Sequence, residues 1–144
     1  MDSGSNVTSR GLEVLTEAEC YERLASASLG RVSVHLGERP AILPVNYALL
    51  GRDIVFRTDP GSKLTAALMG VQVAFEVDAV PTPATAWSVL VVGYVEELRD
   101  AATLAAVEAS GLATWAGGAR DRVVRIDVRH VSGRSLGPGS EAPE

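Results

Sequence analysis

The chain has 144 residues, of which 47% are hydrophobic and 22% charged, and its formal net charge is −5. This length and composition predict one globular domain with a buried core. The arginines are scattered along an acidic chain, which argues against nucleic-acid binding because such proteins usually carry a basic face. No apolar run is long enough to span a membrane, and residues 1–10 lack the pattern of a signal peptide. We therefore expect a cytoplasmic protein, in which the single cysteine, Cys20, has no partner for an internal disulfide.

The two ends of the chain differ in composition from its middle. Residues 1–11 are rich in Ser, Gly and Asn, and residues 137–144 read GPGSEAPE, which predicts a flexible N-terminus and a disordered tail. The segment between them, residues 12–136, is expected to fold as a single domain.

The first predicted element is a helix within the segment LTEAECYERLASASLG. Thr16 is its expected N-cap, and Glu19 three residues later completes a capping box. Leu15 and Cys20 occupy the two hydrophobic staple positions around this cap. Gly30 is expected to end the helix, as glycine often does.

After this helix the hydrophobic period changes from 3.6 residues to 2, which predicts β-strands. The first two strands are RVSVHL and AILPVNYALL, and Pro44 in the second suits an edge or a bulge. The third strand is IVFRT, and a short helix is predicted from Lys63 to Met69. Three more strands follow in VQVAFEVDAV, AWSVLVVGYVEEL and RVVRIDVRHV, and Asp100 caps a helix between the last two that ends at Gly111.

Six mostly adjacent strands with short turns favour one architecture. They predict a mainly β (α+β) fold, in which a six-stranded antiparallel barrel carries helices at its periphery. The histidines His35 and His130 lie on different strands without carboxylates at ligand spacing, so no metal site is expected.

The segment VFRTDPGSKL, residues 55–64, contains the only lysine among thirteen basic residues. If Ser62 caps the following helix, Lys63 lies in its first turn, where the helix dipole disfavours a cation. A bound anion would remove this mismatch, and Arg57 and Thr58 offer further donors to it. The alternative is a solvated strand end followed by an ordinary turn and a surface lysine. The pattern alone leaves both interpretations open.

The order of motifs along the chain adds a family resemblance. FRT-x-PGSKL and WSVLV-x-G are the most specific motifs, and GRVSV, PAILPVNYAL, VAFEVD and VVRIDVRHVSGR accompany them. Together they resemble the pyridoxamine 5′-phosphate oxidase-like family of flavin-binding split barrels, and within it the small bacterial flavin-nucleotide-binding branch. The resemblance covers residues 12–136. It implies a six-stranded split barrel and a homodimer, with FMN bound in a cleft between the two subunits.

Carried over by position, the resemblance implies three groups of cofactor-binding residues. The group that matches the phosphate-binding segment is Arg57, Thr58, Ser62 and Lys63. The group that matches the strand along the flavin ring is Pro44, Val45 and Asn46. The group that matches the start of the long strand, which approaches the flavin from one subunit or the other, is Trp87 and Ser88. Trp115 is expected to pack in the dimer instead.

Two departures from the vitamin B6 oxidases of this family bear on the substrate. Those enzymes carry an Arg-x-His pattern near the C-terminus that grips the substrate phosphate. Here Arg129 and His130 are adjacent, and adjacent strand residues face opposite sides. Leu64 follows Lys63 where those enzymes have paired basic residues. Pyridoxamine phosphate is therefore not the expected substrate.

The resemblance implies a flavin-dependent oxidoreductase that moves a hydride or electrons between FMN and a small molecule. The cofactor carries such chemistry, so no catalytic side chain is predicted. Two alternatives remain open: a deazaflavin-dependent reductase, and a non-catalytic protein that binds or stores a flavin or haem. The sequence names no substrate.

Overall fold

The computed structural model describes residues 12–59, 61–82, 84–112 and 122–136. Within these ranges the chain forms seven strands and three helices. In chain order they are β1 (Leu12–Val14), α1 (Glu17–Ala25), β2 (Leu29–Leu36), β3 (Arg39–Leu50), β4 (Asp53–Thr58), α2 (Lys63–Leu68), β5 (Gln72–Ala79), β6 (Trp87–Glu97), α3 (Ala101–Ala109) and β7 (Arg122–Leu136). The predicted flexible ends and Trp115 lie outside the described residues.

The strands form one antiparallel sheet that closes on itself. Their order is β1-β7-β4-β3-β2-β5-β6, and β6 also pairs with β7. Strands β2 to β7 thus make a closed six-stranded barrel, which confirms the fold predicted from the sequence. Strand β1 is an addition outside the barrel, where Leu12 pairs with Leu136. The sequence pattern does not predict it, because three residues are too few to display an alternation.

Alternation along the strands decides which side chains fill the barrel. Val32, Phe56, Phe75 and Val91 point into it and are fully buried. Each contributes about 1.5–3 kcal/mol to folding by leaving water. On β4 the other face is buried as well, because α3 covers it and Val55 packs in a second apolar cluster there. This strand is therefore enclosed on both sides.

Helix α1 begins as predicted and ends earlier. The capping box is present: the Glu19 N–H donates to Thr16 Oγ1 at 3.1 Å, and the Thr16 N–H donates to Glu19 Oε1 at 2.8 Å. The helix ends at Ala25 with Ser26 as its C-cap, so the predicted end at Gly30 is wrong. Gly30 lies in β2, where a Cβ atom would come within 2.3 Å of the Phe75 ring. Close packing, not a helix end, requires this glycine.

Strand β3 changes partners midway along its length. Residues 39–46 pair with β2, whereas residues 47–50 pair with β4. Pro44 therefore lies where one edge of β3 has no strand partner within the described part of the chain, as expected for a proline in a sheet. The barrel wall is split at this point, because the ladder between β3 and β4 stops at Tyr47 and Phe56.

The helices that the structure describes are short. None of them is long and apolar enough to cross a membrane. The predicted cytoplasmic location stays a prediction.

Candidate functional site between strands β3 and β4

Two segments border the opening where β3 and β4 part. If the pairing continued past Tyr47 and Phe56, Asn46 would lie opposite Arg57. Instead β3 stays with β2, and β4 ends at Thr58 ahead of the turn into α2. Seven of the nine sequence-predicted cofactor residues lie on these two segments. They are Pro44, Val45, Asn46, Arg57, Thr58, Ser62 and Lys63.

Neighbouring residues of β4 face opposite sides of the barrel wall. Phe56 belongs to the barrel core, and Val55 packs beneath α3. Because side chains alternate along a strand, Thr58 faces the interior with Phe56, and Arg57 faces the α3 side with Val55. The two residues that the sequence groups together thus lie on opposite sides of the wall at the strand end.

Arg57 is buried with too few partners. It is 9% exposed, and its Nη2 donates to Glu108 Oε1 of α3 at 3.2 Å. Its Nε is buried and has no hydrogen-bond partner among the residues that the structure describes, and the same holds for Thr58 Oγ1. Buried polar groups are almost always paired, since an unpaired one costs about 1–3 kcal/mol. Each of these two unpaired donors, one on either side of the wall, is therefore a place suited to a further acceptor.

The Ser62 hydroxyl is occupied within its own turn. Its Oγ accepts from the Thr65 N–H at 3.0 Å, as predicted for an N-cap. It also lies 3.0 Å from Thr65 Oγ1. Thr65 donates its single hydroxyl hydrogen to the Asp59 carbonyl at 2.7 Å, so Ser62 supplies the hydrogen between the two hydroxyls. Ser62 can donate to a ligand only by turning this hydrogen away from Thr65.

Lys63 is exposed on the first turn of α2 and lines a groove of about 1150 Å³. The facing wall is the turn between β2 and β3, where Arg39 provides a second positive charge and Glu38 a negative one. The sequence does not single out Arg39, because GERP looks like any polar turn. Only the packing of α2 beside this turn brings the two cations to one groove.

On β3 the predicted residues also alternate. Val45 is buried in the barrel core, while Pro44 and Asn46 are exposed on the outer face. Asn46 therefore shares the outer side of the wall with Arg57.

Trp87 and Ser88 lie away from the opening. Strands β2 and β5 separate β6 from β3 in the sheet. Three strand spacings amount to about 14 Å along the wall. Trp87 packs against the barrel core, and Ser88 pairs with Asp78 and Arg134. These two residues therefore do not border the opening within one chain.

A charged cluster lies beside the opening on the outer face of β2 and β5. Arg31 Nη1 is 3.4 Å from Glu76 Oε1 and 3.3 Å from Asp78 Oδ2. Burial, and to a lesser extent the neighbouring Asp78 carboxyl, raise the pKa of Glu76 to about 7, although Arg31 opposes the shift. Arg31 also pairs with Pro44 across the ladder, so the cluster adjoins the predicted ring-binding segment. Its charge changes near neutral pH.

Comparison with known proteins decides the family. The family model of pyridoxamine 5′-phosphate oxidase matches residues 16–135. The chain belongs to this family. An uncharacterised Mycobacterium tuberculosis protein, Rv0080, is 32% identical over 142 residues, covering 94% of this chain and 93% of that protein.

Two solved structures extend the family comparison to the fold. The FAD-binding protein of Mycobacterium smegmatis is 31% identical with a TM-score of 0.75, covering 85% of this chain and 96% of that one. A Corynebacterium glutamicum protein named as a candidate pyridoxamine 5′-phosphate oxidase is 35% identical with a TM-score of 0.77, covering 86% and 97%. The resemblance predicted from the motifs is thereby confirmed.

The structure contradicts the sequence-based prediction about Arg129 and His130. The register between β6 and β7 shifts so that Val92 faces His130 while Gly93 faces Val128. Arg129 is therefore the extra residue of a β-bulge, which breaks the alternation of sides. Arg129 and His130 are both exposed and line one small pocket, so the prediction that they face opposite sides is wrong. The argument against pyridoxamine phosphate keeps its other support, the apolar residue after Lys63.

Proposed function

We propose that this chain binds a flavin nucleotide at the opening between β3 and β4 and exchanges a hydride or electrons with a small molecule. Membership of the oxidase family and likeness to an FAD-binding protein support a flavin. The observation that carries the proposal is the pair of buried, unpaired donors at Arg57 and Thr58, followed within a few residues by the exposed Lys63.

These residues fit a phosphate group. Arg57 offers a planar fork and Lys63 a mobile point charge, one on either side of the turn after β4. Thr58 Oγ1 adds a hydroxyl donor, and Ser62 adds another once its hydrogen leaves Thr65. A hydrogen bond to a charged group contributes about 1.5–3 kcal/mol, so two or three of them would hold the phosphate firmly.

The unpaired edge of β3 fits the ring of the cofactor. Main-chain groups of residues 44–46 and the exposed Asn46 amide would hydrogen-bond to its polar atoms and fix its orientation. When bound, a flavin supplies the hydride and electron chemistry. The contribution of this chain is to anchor, orient and shield it.

FMN is the nucleotide we propose, and FAD is the second candidate. One observation favours FAD: the groove beside Lys63 has a volume of about 1150 Å³ and a further cation, Arg39, which suits a second phosphate and a longer nucleotide. The proposal of a flavin site holds for either form.

We also propose that the chain acts as a cytoplasmic homodimer. The outer face of the sheet exposes apolar side chains, with Ile42 68% and Leu29 51% accessible. We take these exposed apolar side chains as part of an interaction site, since large exposed apolar patches mark such sites. A second copy seated here would cover it, and would bring Trp87 and Ser88 of one subunit toward the opening of the other. Size-exclusion chromatography with light scattering tests this, and a monomer that retains full flavin affinity would contradict it.

A ligand titration tests the function. Purified protein is mixed with FMN, FAD, riboflavin and a deazaflavin, and binding is followed by absorption and by quenching of flavin fluorescence. We expect FMN or FAD to bind much more tightly than riboflavin, because riboflavin lacks the phosphate. Binding of deazaflavin alone would replace the proposal with a deazaflavin reductase. Tight flavin binding without reduction by any nicotinamide would favour a binding or storage protein.

A further inference from the structure

Glu108 is the hydrogen-bond partner of Arg57, although it belongs to a different part of the chain. Its Oε1 accepts from Arg57 Nη2 at 3.2 Å. The side chain of Glu108 is 80% exposed, whereas that of Arg57 is only 10% exposed. The two partners therefore stand in very different surroundings, one in water and the other under α3.

The position of Glu108 follows from the packing of α3. The preceding residue, Val107, is 1% exposed and packs with Val55 and Val123 on the outer face of the barrel. This anchors the last turn of the helix on β4 and β7. Glu108 then projects from the edge of the helix over the strand position that follows Val55 on the same face, which is Arg57.

The contact leaves the guanidinium only partly used. A carboxylate that matched it fully would accept from Nε and Nη2 side by side, but Glu108 accepts from Nη2 alone and Nε stays unpaired. Nε is also covered, so another acceptor reaches it only when a neighbouring side chain moves. Glu108 is the group best able to move, because water solvates its carboxylate well.

We infer that Glu108 is an internal competitor of the ligand's phosphate for Arg57, and so sets how strongly charged an anion the site accepts. The inference rests on the proposed flavin function and adds a specificity-determining residue to it. Without a ligand, Glu108 balances the buried guanidinium. A phosphate dianion displaces it because it offers more oxygens and more charge, whereas a monovalent anion such as chloride competes poorly.

The test compares Glu108→Gln with a matched control. Glu22 is an exposed glutamate on α1, a helix that carries none of the candidate site residues, and Glu22→Gln makes the same change in net charge. Dissociation constants for FMN and for riboflavin are measured for the full chain and both variants. We expect Glu108→Gln to bind FMN about two- to fivefold more tightly, the range that such ion pairs contribute. The affinity of Glu108→Gln for riboflavin should equal that of the unsubstituted protein. Glu22→Gln should bind both ligands as the unsubstituted protein does.

Unchanged or weaker FMN binding by Glu108→Gln, with folded protein shown by its thermal transition, would overturn the inference. A gain of equal size for riboflavin would overturn it too, because the effect would then not involve the phosphate.

Arg57→Gln separates this inference from the proposed function. In the Arg57→Gln background, Glu108→Gln should no longer change FMN affinity. Suppose that Arg57→Gln lowers FMN affinity, but that Glu108→Gln still raises it in the Arg57→Gln background. The proposed competition for Arg57 would then be wrong, while the proposed flavin site would be supported. If Arg57→Gln leaves the preference for FMN over riboflavin intact, the phosphate assignment itself fails. Should Arg57→Gln not fold, Arg57→Met removes the charge but keeps an unbranched stem to pack beneath α3, and serves the same purpose.

Discussion

Arg57 and Arg125 lie on the same outer face of two paired strands, yet they differ in burial and in the number of their hydrogen-bond partners. Arg125 is 35% exposed at its side chain and bonds to both Glu96 and Asp53. Arg57 is far more buried, and within the described ranges its only hydrogen-bond partner is Glu108 and its Nε has none. Since burying an unpaired charge is costly, stability alone would give the more buried arginine more partners. The difference indicates that Arg125 serves the fold and Arg57 serves a ligand.

Replacing each arginine in turn tests whether the two have these different roles. Arg57→Gln should weaken FMN binding about 10- to 100-fold, the equivalent of one or two charge-assisted hydrogen bonds, with little loss of stability. Arg125→Gln should do the reverse, because it leaves Glu96 and Asp53 without their cation. Fluorescence titration and thermal unfolding of both variants check this. Equal effects of the two substitutions on FMN affinity would contradict the assignment of Arg57 to the ligand and of Arg125 to the fold.

Thr58→Val tests whether the second unpaired donor has the same meaning. Valine has nearly the shape of threonine, so it removes the buried hydroxyl without opening a cavity. We expect the free energy of unfolding to rise by about 1 kcal/mol, while FMN binding weakens about tenfold. Denaturant unfolding and FMN titration measure the two changes. Loss of stability would mean that the Thr58 hydroxyl has a partner in the fold.

Lys63→Ala should weaken FMN binding about fivefold, less than Arg57→Gln, because an exposed charge acts through water. Stability should not change, since Lys63 forms no ion pair with any residue in the described ranges. The measurement is an FMN titration at low and at high salt, and Lys63→Arg should restore most of the affinity. Unaltered affinity in Lys63→Ala would restrict the phosphate site to β4.

The smallest effect concerns Glu76, whose pKa the fold raises to about 7. A carboxyl with a raised folded pKa stabilises the protein while protonated, so this contribution is present below about pH 4.5 and is lost as pH rises through 7. Glu76→Gln stays neutral, and its melting temperature should exceed that of the unsubstituted protein more at pH 8 than at pH 5. A constant difference across this range would show that Glu76 titrates normally.

The sequence predicts the parts of this molecule that depend on neighbours along the chain. The capping box at Thr16 and Glu19, the alternating strands and the cap at Ser62 are all local patterns, and the structure has them. The prediction that Gly30 ends the helix is wrong because the residue that requires a glycine there, Phe75, lies on another strand.

The candidate site also has one part that a local motif predicts and another that only the fold reveals. The segment after β4 is visible in its motif, but the contact between Arg57 and Glu108 joins residues 51 positions apart. No local pattern could reveal that contact, or the bulge that turns Arg129 to the side of His130. What makes Arg57 unusual is its missing partner, and that can be seen only once the fold is known.

Strand β7 has a consequence for how the chain folds. It follows every other described strand in sequence, yet it pairs with β1, β4 and β6. Until it docks, β4 and β6 each expose an unpaired edge, and such edges are templates for association with other chains. Closure also depends on contacts between distant parts of the sequence, which slows folding. The ribosome must therefore release nearly the whole domain before the barrel can close. Chains truncated within β7 are expected to aggregate.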